Sequence, residues 1–192
     1  MASTPPLLPF PFRLVTERLE LRSPSMSHAV ELNAAVCESI ADLAPWMPWA
    51  DHAPTLDETR AQCEIAAADF AAGRDFRIHV WLRDGSAVVG GTGAHRIAPE
   101  VPACEIGYWV RSRFRGQGYV TEAAGALARY LLDEAGVCRV EMRMHSENLR
   151  SRAVPERLGF ELEGVLRADS RHVDGSLRDT CVYARVRRLA GD

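Results

Sequence analysis

The chain has 192 residues, 47% of them hydrophobic and 26% charged, and its 23 basic and 26 acidic residues leave a net charge of −3. A chain of this length and balance buries enough surface to fold without disulfide or metal staples. It lacks both the basic excess of a phosphate-neutralising nucleic-acid binder and any run of ~20 apolar residues able to span a bilayer, so no nucleic-acid and no membrane partner is expected.

The opening Met1-Ala2-Ser3-Thr4-Pro5-Pro6 has no basic residue, and Pro9 and Pro11 interrupt the apolar run after it, which argues against a secretory signal. Five cysteines, widely spaced and without a C-x-x-C pair, argue against a disulfide framework and for a cytoplasmic chain. The six histidines show no metal-ligand spacing, and no metal is expected.

Residues 1–13, with prolines at 5, 6, 9 and 11, are expected to form a mobile arm ahead of a single domain over 14–192. Arg18-Leu19-Glu20-Leu21-Arg22 alternates like a half-buried strand, and Ser23-Pro24-Ser25 opens a helix carrying Ala29, Leu32 and Val36 on one face. Leu43 to Trp49, with two tryptophans between prolines, is expected to be an irregular loop. Thr55-x-x-Glu58 forms a capping box for a second helix reaching about Gly73.

The period then becomes alternating. Residues 77–82 and 87–97 are expected as a hairpin around Asp84-Gly85, with Gly90, Gly91 and Gly93 marking a bulge or the close approach of another backbone. A strand over 104–110, a helix over 120–135 stopped by Gly136, and a strand carrying Val140, Met142 and Met144 follow. A short helix reaching Leu158 and two strands near 160–168 and 178–187 complete a mixed α/β sheet with a βαβ crossover.

The chemistry concentrates between the 104–110 strand and the helix after it, in Arg113-Phe114-Arg115-Gly116-Gln117-Gly118-Tyr119-Val120-Thr121-Glu122. Two glycines one residue apart allow a tight turn, and the unpaired N–H groups of the next helical turn suit a pyrophosphate. Arg113 and Arg115 add positive charge. No Gly-Lys-Ser/Thr follows and the third glycine of a dinucleotide fingerprint is missing, so neither a Walker loop nor a Rossmann turn is present.

Arg113-x-x-Gly116-x-Gly118 with Tyr119-Val120-Thr121-Glu122-Ala123 resembles the acyl-CoA-binding motif of the GNAT superfamily of N-acetyltransferases. Glu105-Ile106-Gly107-Tyr108-Trp109, Asn148-x-x-Ser151, Glu156-Arg157-Leu158-Gly159-Phe160, the segment Leu162 to Arg167, Asp174-Gly175, Arg178-Asp179 and the Trp46-Met47-Pro48-Trp49 loop resemble the RimJ/RimL-like branch, which acetylates N-terminal residues of ribosomal proteins. The resemblance implies the GNAT fold, with two parallel strands (104–110 and 139–145) that splay around the pantetheine. It implies acetyl-CoA as cosubstrate, a primary amine acceptor and direct attack in a ternary complex. It also admits a homodimer.

Carried over position by position, it assigns acyl-CoA contacts to Tyr108, Trp109, Val110, Arg115, Gly116, Gln117, Gly118, Tyr119, Val120, Thr121, Asn148 and Ser151. Ser151 is the candidate acid for the coenzyme A thiolate, Glu105 or Asp169 the candidate base, and Trp46 and Trp49 walls of the acceptor pocket. Two features depart from the pattern. Asp169-Ser170-Arg171 stands where branch members carry a glutamate, and Pro155 is expected to kink or delay the helix bearing Ser151. A small amine or antibiotic acceptor, a succinyl donor, and a non-catalytic acyl-CoA-binding module are the alternatives.

Overall fold

The computed structural model describes residues 7–98, 100–171 and 174–187. Their elements are β1 (Arg13–Val15), β2 (Leu19–Arg22), α1 (Ala29–Leu43), α2 (Leu56–Ala71), β3 (Phe76–Leu82), β4 (Val88–Ala98), β5 (Ala103–Val110), α3 (Tyr119–Asp133), β6 (Arg139–His145), α4 (Leu149–Arg157), β7 (Glu161–Arg171) and β8 (Leu177–Val186). One eight-stranded sheet runs in the order β1-β2-β3-β4-β5-β6-β8-β7. Its parallel pair is β5 with β6, joined by the α3 crossover.

Local chemistry explains the helices. The Thr55 hydroxyl accepts the Glu58 N–H at 3.2 Å while the Glu58 carboxylate accepts the Thr55 N–H at 2.7 Å, so the capping box is fully formed. Ser25 caps a single 3₁₀ turn that leads into α1. On α3 the stripe Ala123, Ala124, Leu127 and Leu131 is buried against Ile106, Val140 and Met142 of the central strands.

The expected mobile arm is corrected from Leu8 onward, and its residues 1–6 lie outside the described residues, as do 188–192 of the expected domain. Leu8 and Phe12 are buried in the main core, and the Phe12 ring packs edge-on against Tyr130 with centroids 5.4 Å apart. Ser23 N–H donates to the Phe12 carbonyl at 3.0 Å, which leads the chain into β1, an edge strand paired with β2. The prolines there stop helix formation but leave the apolar side chains between them free to dock.

Inside β3, His79 is buried, and its Nδ1 lies 3.0 Å from Nδ1 of His28, so one ring donates and the other accepts. Burial above all, then the neighbouring His28 and Arg77, pushes His79 down to about 3. Above the ordinary histidine range of about 6.5 this leaves stability unaffected. Below it only the unfolded chain takes up the proton, so stability falls by up to ~1.4 kcal/mol per pH unit until the folded state also protonates. Urea unfolding at pH 7 and pH 4.5 is expected to show this loss, and His79→Phe is expected to flatten it.

Candidate active site

The parallel ladder between β5 and β6 lasts only from Ala103–Glu105 to Arg139–Glu141, although the strands continue to Val110 and His145. β6 stays on β8 as far as His145 opposite Thr180, and β5 stays on β4 as far as Val110 opposite Gly90. The two halves of the sheet therefore diverge after Glu105. Along Ile106–Val110 the β5 edge that would face β6 has no strand partner. That wedge is the kind of place where an extended ligand can pair as a strand.

At the wide end of the wedge Gly116 and Gly118 both have left-handed φ, +73° and +81°, and Gly118 is the N-cap of α3. The turn aims the first N–H groups of α3 at the mouth of the slot. Around it, Gln117 and Tyr119 are held by Arg18, whose Nη1 donates to the Gln117 carbonyl at 3.0 Å and whose guanidinium lies 4.4 Å from the centroid of the Tyr119 ring. Arg18 also binds Glu122 of α3 at 2.7 Å. Sequence reasoning missed this strap, because it links residues about a hundred positions apart.

The arginines of the loop are less free than expected. Arg115 forms an ion pair with Asp42, and Arg113 lies 3.8 Å and 3.7 Å from Glu31 and Glu38. Buried Arg111 bridges the same two glutamates at 2.7 Å each. The acidic face of α1 thus neutralises much of the positive charge that the motif suggested.

Across the slot, Asn148 caps α4, its Oδ1 accepting the Ser151 N–H at 3.1 Å. Pro155 does not break or delay this helix, which continues through it to Arg157. Lacking an N–H, Pro155 leaves the Ser151 carbonyl without its helical donor. The Tyr108 hydroxyl supplies one instead, donating to that carbonyl at 2.9 Å and accepting from Ser151 Oγ at 3.2 Å. Burial pushes the Tyr108 phenol well above its ordinary value, so it stays a neutral hydrogen-bonding group.

A cavity of about 860 Å³ opens from the slot toward α1 and α2. Trp46 lies edge-on to His145 at the end of β6, with centroids 5.7 Å apart, and Trp49 lies edge-on to Trp109 of β5 at 6.1 Å. The 44–54 loop therefore reaches across both diverging strands, and both tryptophans line the cavity.

Three glycines shape the sheet floor. A Cβ on Gly90 would stand 2.2 Å from the Trp109 carbonyl oxygen, which is the close backbone approach expected from the sequence. Gly91 makes room for a ring, since a Cβ there would meet Trp109 Nε1 at 2.4 Å. Gly93 does so for both backbone and ring, since a Cβ there would meet the Phe76 carbonyl oxygen at 2.6 Å and His95 Nε2 at 2.9 Å.

Of the expected bases, Glu105 lines the cavity, whereas Asp169 lies on β7 with its carboxylate 3.5 Å from Arg143 and is not part of the lining. One oxygen of Glu105 is buried without a hydrogen-bond partner, 3.4 Å from Arg96, and burial raises its pKa. Val110 is partly buried against the main core, and Val120 and Thr121 sit half-buried in the first turn of α3. Among the described residues, no three His, Cys, Asp or Glu side chains cluster to hold a metal ion, and no helix is long and apolar enough to cross a membrane.

A sheet split between its parallel strands, with a glycine-rich turn feeding a helix N-terminus beside the split, is the architecture of an acyl-CoA-dependent acyltransferase. Residues 18–161 match the family model described as Acetyltransferase (GNAT) domain, and the chain belongs to that family. It is 26% identical over 172 residues to the ribosomal-protein-serine acetyltransferase of Escherichia coli (strain K12), covering 90% of this chain and 94% of the relative. It is 27% identical over 174 residues to the [ribosomal protein uS5]-alanine N-acetyltransferase of the same organism, covering 90% and 89%. The solved structure of RimL, a ribosomal L7/L12 alpha-N-protein acetyltransferase in complex with coenzyme A, superposes with a TM-score of 0.81 at 26% identity, covering 90% of this chain and 96% of that one.

Proposed function

We propose that the protein transfers the acetyl group of acetyl-CoA to the N-terminal amine of a ribosomal protein. The observation that carries this reading is the cavity at the splay, open on the side of the 44–54 loop and walled by Trp46 and by Trp49, which is 51% exposed at its mouth. An open aromatic-rimmed pocket of this size suits the first residues of a peptide better than a single small amine. The relatives named as ribosomal-protein acetyltransferases, and the RimL structure described as an alpha-N-protein acetyltransferase, align over nearly the whole chain, which supports the same acceptor class.

In this reading acetyl-CoA supplies an electrophilic thioester carbonyl and a sulfur leaving group. The chain's residues do the rest. Gly116, Gln117, Gly118, Tyr119, Val120 and Thr121 offer backbone N–H groups to the pyrophosphate, and Arg115 exchanges Asp42 for it. Tyr108, Trp109 and Val110 offer the open β5 edge to the pantetheine, and Asn148 lies at the far wall. Backbone N–H groups near Trp109 and Val110 polarise the carbonyl. Ser151 Oγ moves a proton to the departing sulfur, with Tyr108 holding it in place.

The test is incubation of the purified protein with isotope-labelled acetyl-CoA and either dialysed ribosomal proteins or a small-metabolite fraction, followed by mass spectrometry. Label on a protein N-terminal amine is the expected result. Label confined to a small metabolite would contradict the acceptor class, and succinyl transfer in a parallel reaction would contradict the donor.

A further inference from the structure

Beside the slot, His95 and Asp75 form a pair that no sequence motif announced. The imidazole Nδ1 lies 2.5 Å from Asp75 Oδ1, and both residues line the acceptor cavity. We propose that His95, oriented by Asp75, is the general base that takes the proton from the acceptor amine, an inference that rests on the amine-acetyltransferase reading above.

Four observations carry it. First, a hydrogen bond from Nδ1–H to Asp75 leaves Nε2 as the unprotonated nitrogen, the atom a base needs. Second, the ring is seated where two side chains are missing: a Cβ on Gly93 would stand 2.9 Å from Nε2, and one on Gly107 would stand 3.2 Å from it. Gly107 belongs to β5 just beyond its last residue paired with β6, so the imidazole overlies the start of the wedge. Third, the strand is distorted to aim it. The β4–β5 register shifts between His95 and Ala98, and Arg96 adopts a left-handed φ of +48°, a conformation that costs a non-glycine residue about 1 kcal/mol and is seldom kept without a use. Fourth, the competing carboxylate is placed less well. Glu105 is cross-strand partner to His95 but sits at the last position where β5 and β6 still pair, with one oxygen buried.

The protons balance. The acceptor R–NH₃⁺ gives one proton to His95 Nε2, and the freed lone pair forms the C–N bond as the C–S bond breaks. The nitrogen then loses a second proton as Ser151 Oγ supplies one to the sulfur, and that second proton, relayed through water, restores the Ser151 hydroxyl. One proton is released per amide formed, and His95 passes it to solvent.

Charged groups face the ring from each neighbouring element. Asp75 and Arg77 come from the β3 side, with Asp69 of α2 bound to Arg77 at 3.0 Å. Arg96 lies on its own strand, Glu105 on β5, and Glu141 and Arg143 on β6 behind Glu105. Despite its burial, the His95 and Arg77 contacts hold the Asp75 carboxyl below its ordinary value, so it remains an anion able to anchor Nδ1–H.

The experiment compares wild type, His95→Gln, Asp75→Asn and Glu105→Gln, using any peptide or small amine that the wild type acetylates, so that a wrong acceptor class leaves the comparison intact. His95→Gln is expected to lower kcat/KM for the amine by about 10²-fold, Asp75→Asn by ~10-fold and Glu105→Gln by less than ~10-fold, with acetyl-CoA Kd unchanged in all three. The pH profile of kcat/KM in the wild type is expected to lose its enzyme-derived acid limb in His95→Gln. Histidine side-chain ¹H–¹⁵N spectra of the unreacting coenzyme A complex are expected to show His95 protonated at Nδ1 alone, and this preference is expected to vanish in Asp75→Asn. Should His95→Gln disturb folding, Gly107→Ala presses a methyl on the ring and is expected to lower turnover without removing any charge. A His95→Gln enzyme with wild-type turnover, a 10²-fold loss confined to Glu105→Gln, or a His95 ring protonated at Nε2 would each overturn the proposal. Acetyl-CoA binding without transfer to any amine by the wild type would overturn it together with the acetyltransferase reading.

Discussion

Ser151→Ala is expected to lower kcat for amine acetylation by about 10²-fold, or ~2.7 kcal/mol, while acetyl-CoA Kd stays within about twofold. The Ser151 hydroxyl stands at the first turn of α4, opposite the open β5 edge, and its position is set twice over. Asn148 fixes its backbone N–H, and Tyr108 binds both its carbonyl and its Oγ. Tyr108→Phe removes only the second restraint and is expected to cost ~10-fold in kcat. The double variant is expected to be no slower than Ser151→Ala alone, because groups acting as one unit are not additive. Steady-state kinetics together with calorimetric titration of acetyl-CoA separates these effects. Full activity in Ser151→Ala would remove Ser151 from the chemistry and leave it as a polar residue in a helical turn.

Gly90→Ala is expected to cost about 3 kcal/mol of stability, an unusually large effect for one methyl group. The added carbon would be 2.2 Å from the Trp109 carbonyl oxygen and 3.0 Å from Val110 Cα, both backbone atoms within the β4–β5 ladder. No rotamer relieves the overlap, so the strands must part by about an ångström where β5 has already left β6. Acetyl transfer is expected to fall further than stability alone explains, since Trp109 and Val110 form the edge assigned to the thioester. Urea unfolding gives the first quantity, and turnover at a temperature where the variant remains folded gives the second. Gly116→Ala would show no such overlap, because, its chain neighbours aside, no atom lies within 4 Å of its Cβ position; its cost would come from the left-handed φ of +73° alone.

Much of the fold was legible because its signals are local. The capping box at Thr55 and Glu58, the Asp84-Gly85 hairpin, the α3 stripe and the Gly116-x-Gly118 turn each lie within one short window. β1 was not legible, since three residues after a proline-rich stretch carry no period, and its place is set by Leu8 and Phe12 finding the core. The effect of Pro155 was misjudged for a related reason. The missing helical donor is visible in sequence, but the Tyr108 hydroxyl that replaces it comes from 43 positions away.

The candidate site divides in the same way. Its cofactor side is a contiguous motif. Its acceptor side is assembled by register: His95 meets Asp75 because β3 and β4 form an antiparallel hairpin with Phe76 opposite Ala94, and His95 meets Glu105 because β4 and β5 pair directly. The available signal was Gly93 and Gly107, whose absent side chains leave space for a ring. Strand pairing had to be known before that space had an owner. Likewise, the charge that the loop arginines suggested is offset by Glu31, Glu38 and Asp42, which lie on a helix more than seventy residues earlier.

In the proposed mechanism one wedge, bounded by Ile106–Val110 of β5 and the Gly116–Thr121 turn, receives the acyl donor. Amide hydrogen exchange with and without acetyl-CoA tests this most directly, because the N–H groups of β5 that point away from β4, and those of the first turn of α3, have no strand or helical partner until a ligand supplies one. Protection concentrated in 106–110 and 116–121, lost in a Gly118→Val variant that retains its fold, is the predicted result. Unchanged exchange there under saturating acetyl-CoA, or protection at the separate cavity between residues 14–18 and 129–134 instead, would contradict it.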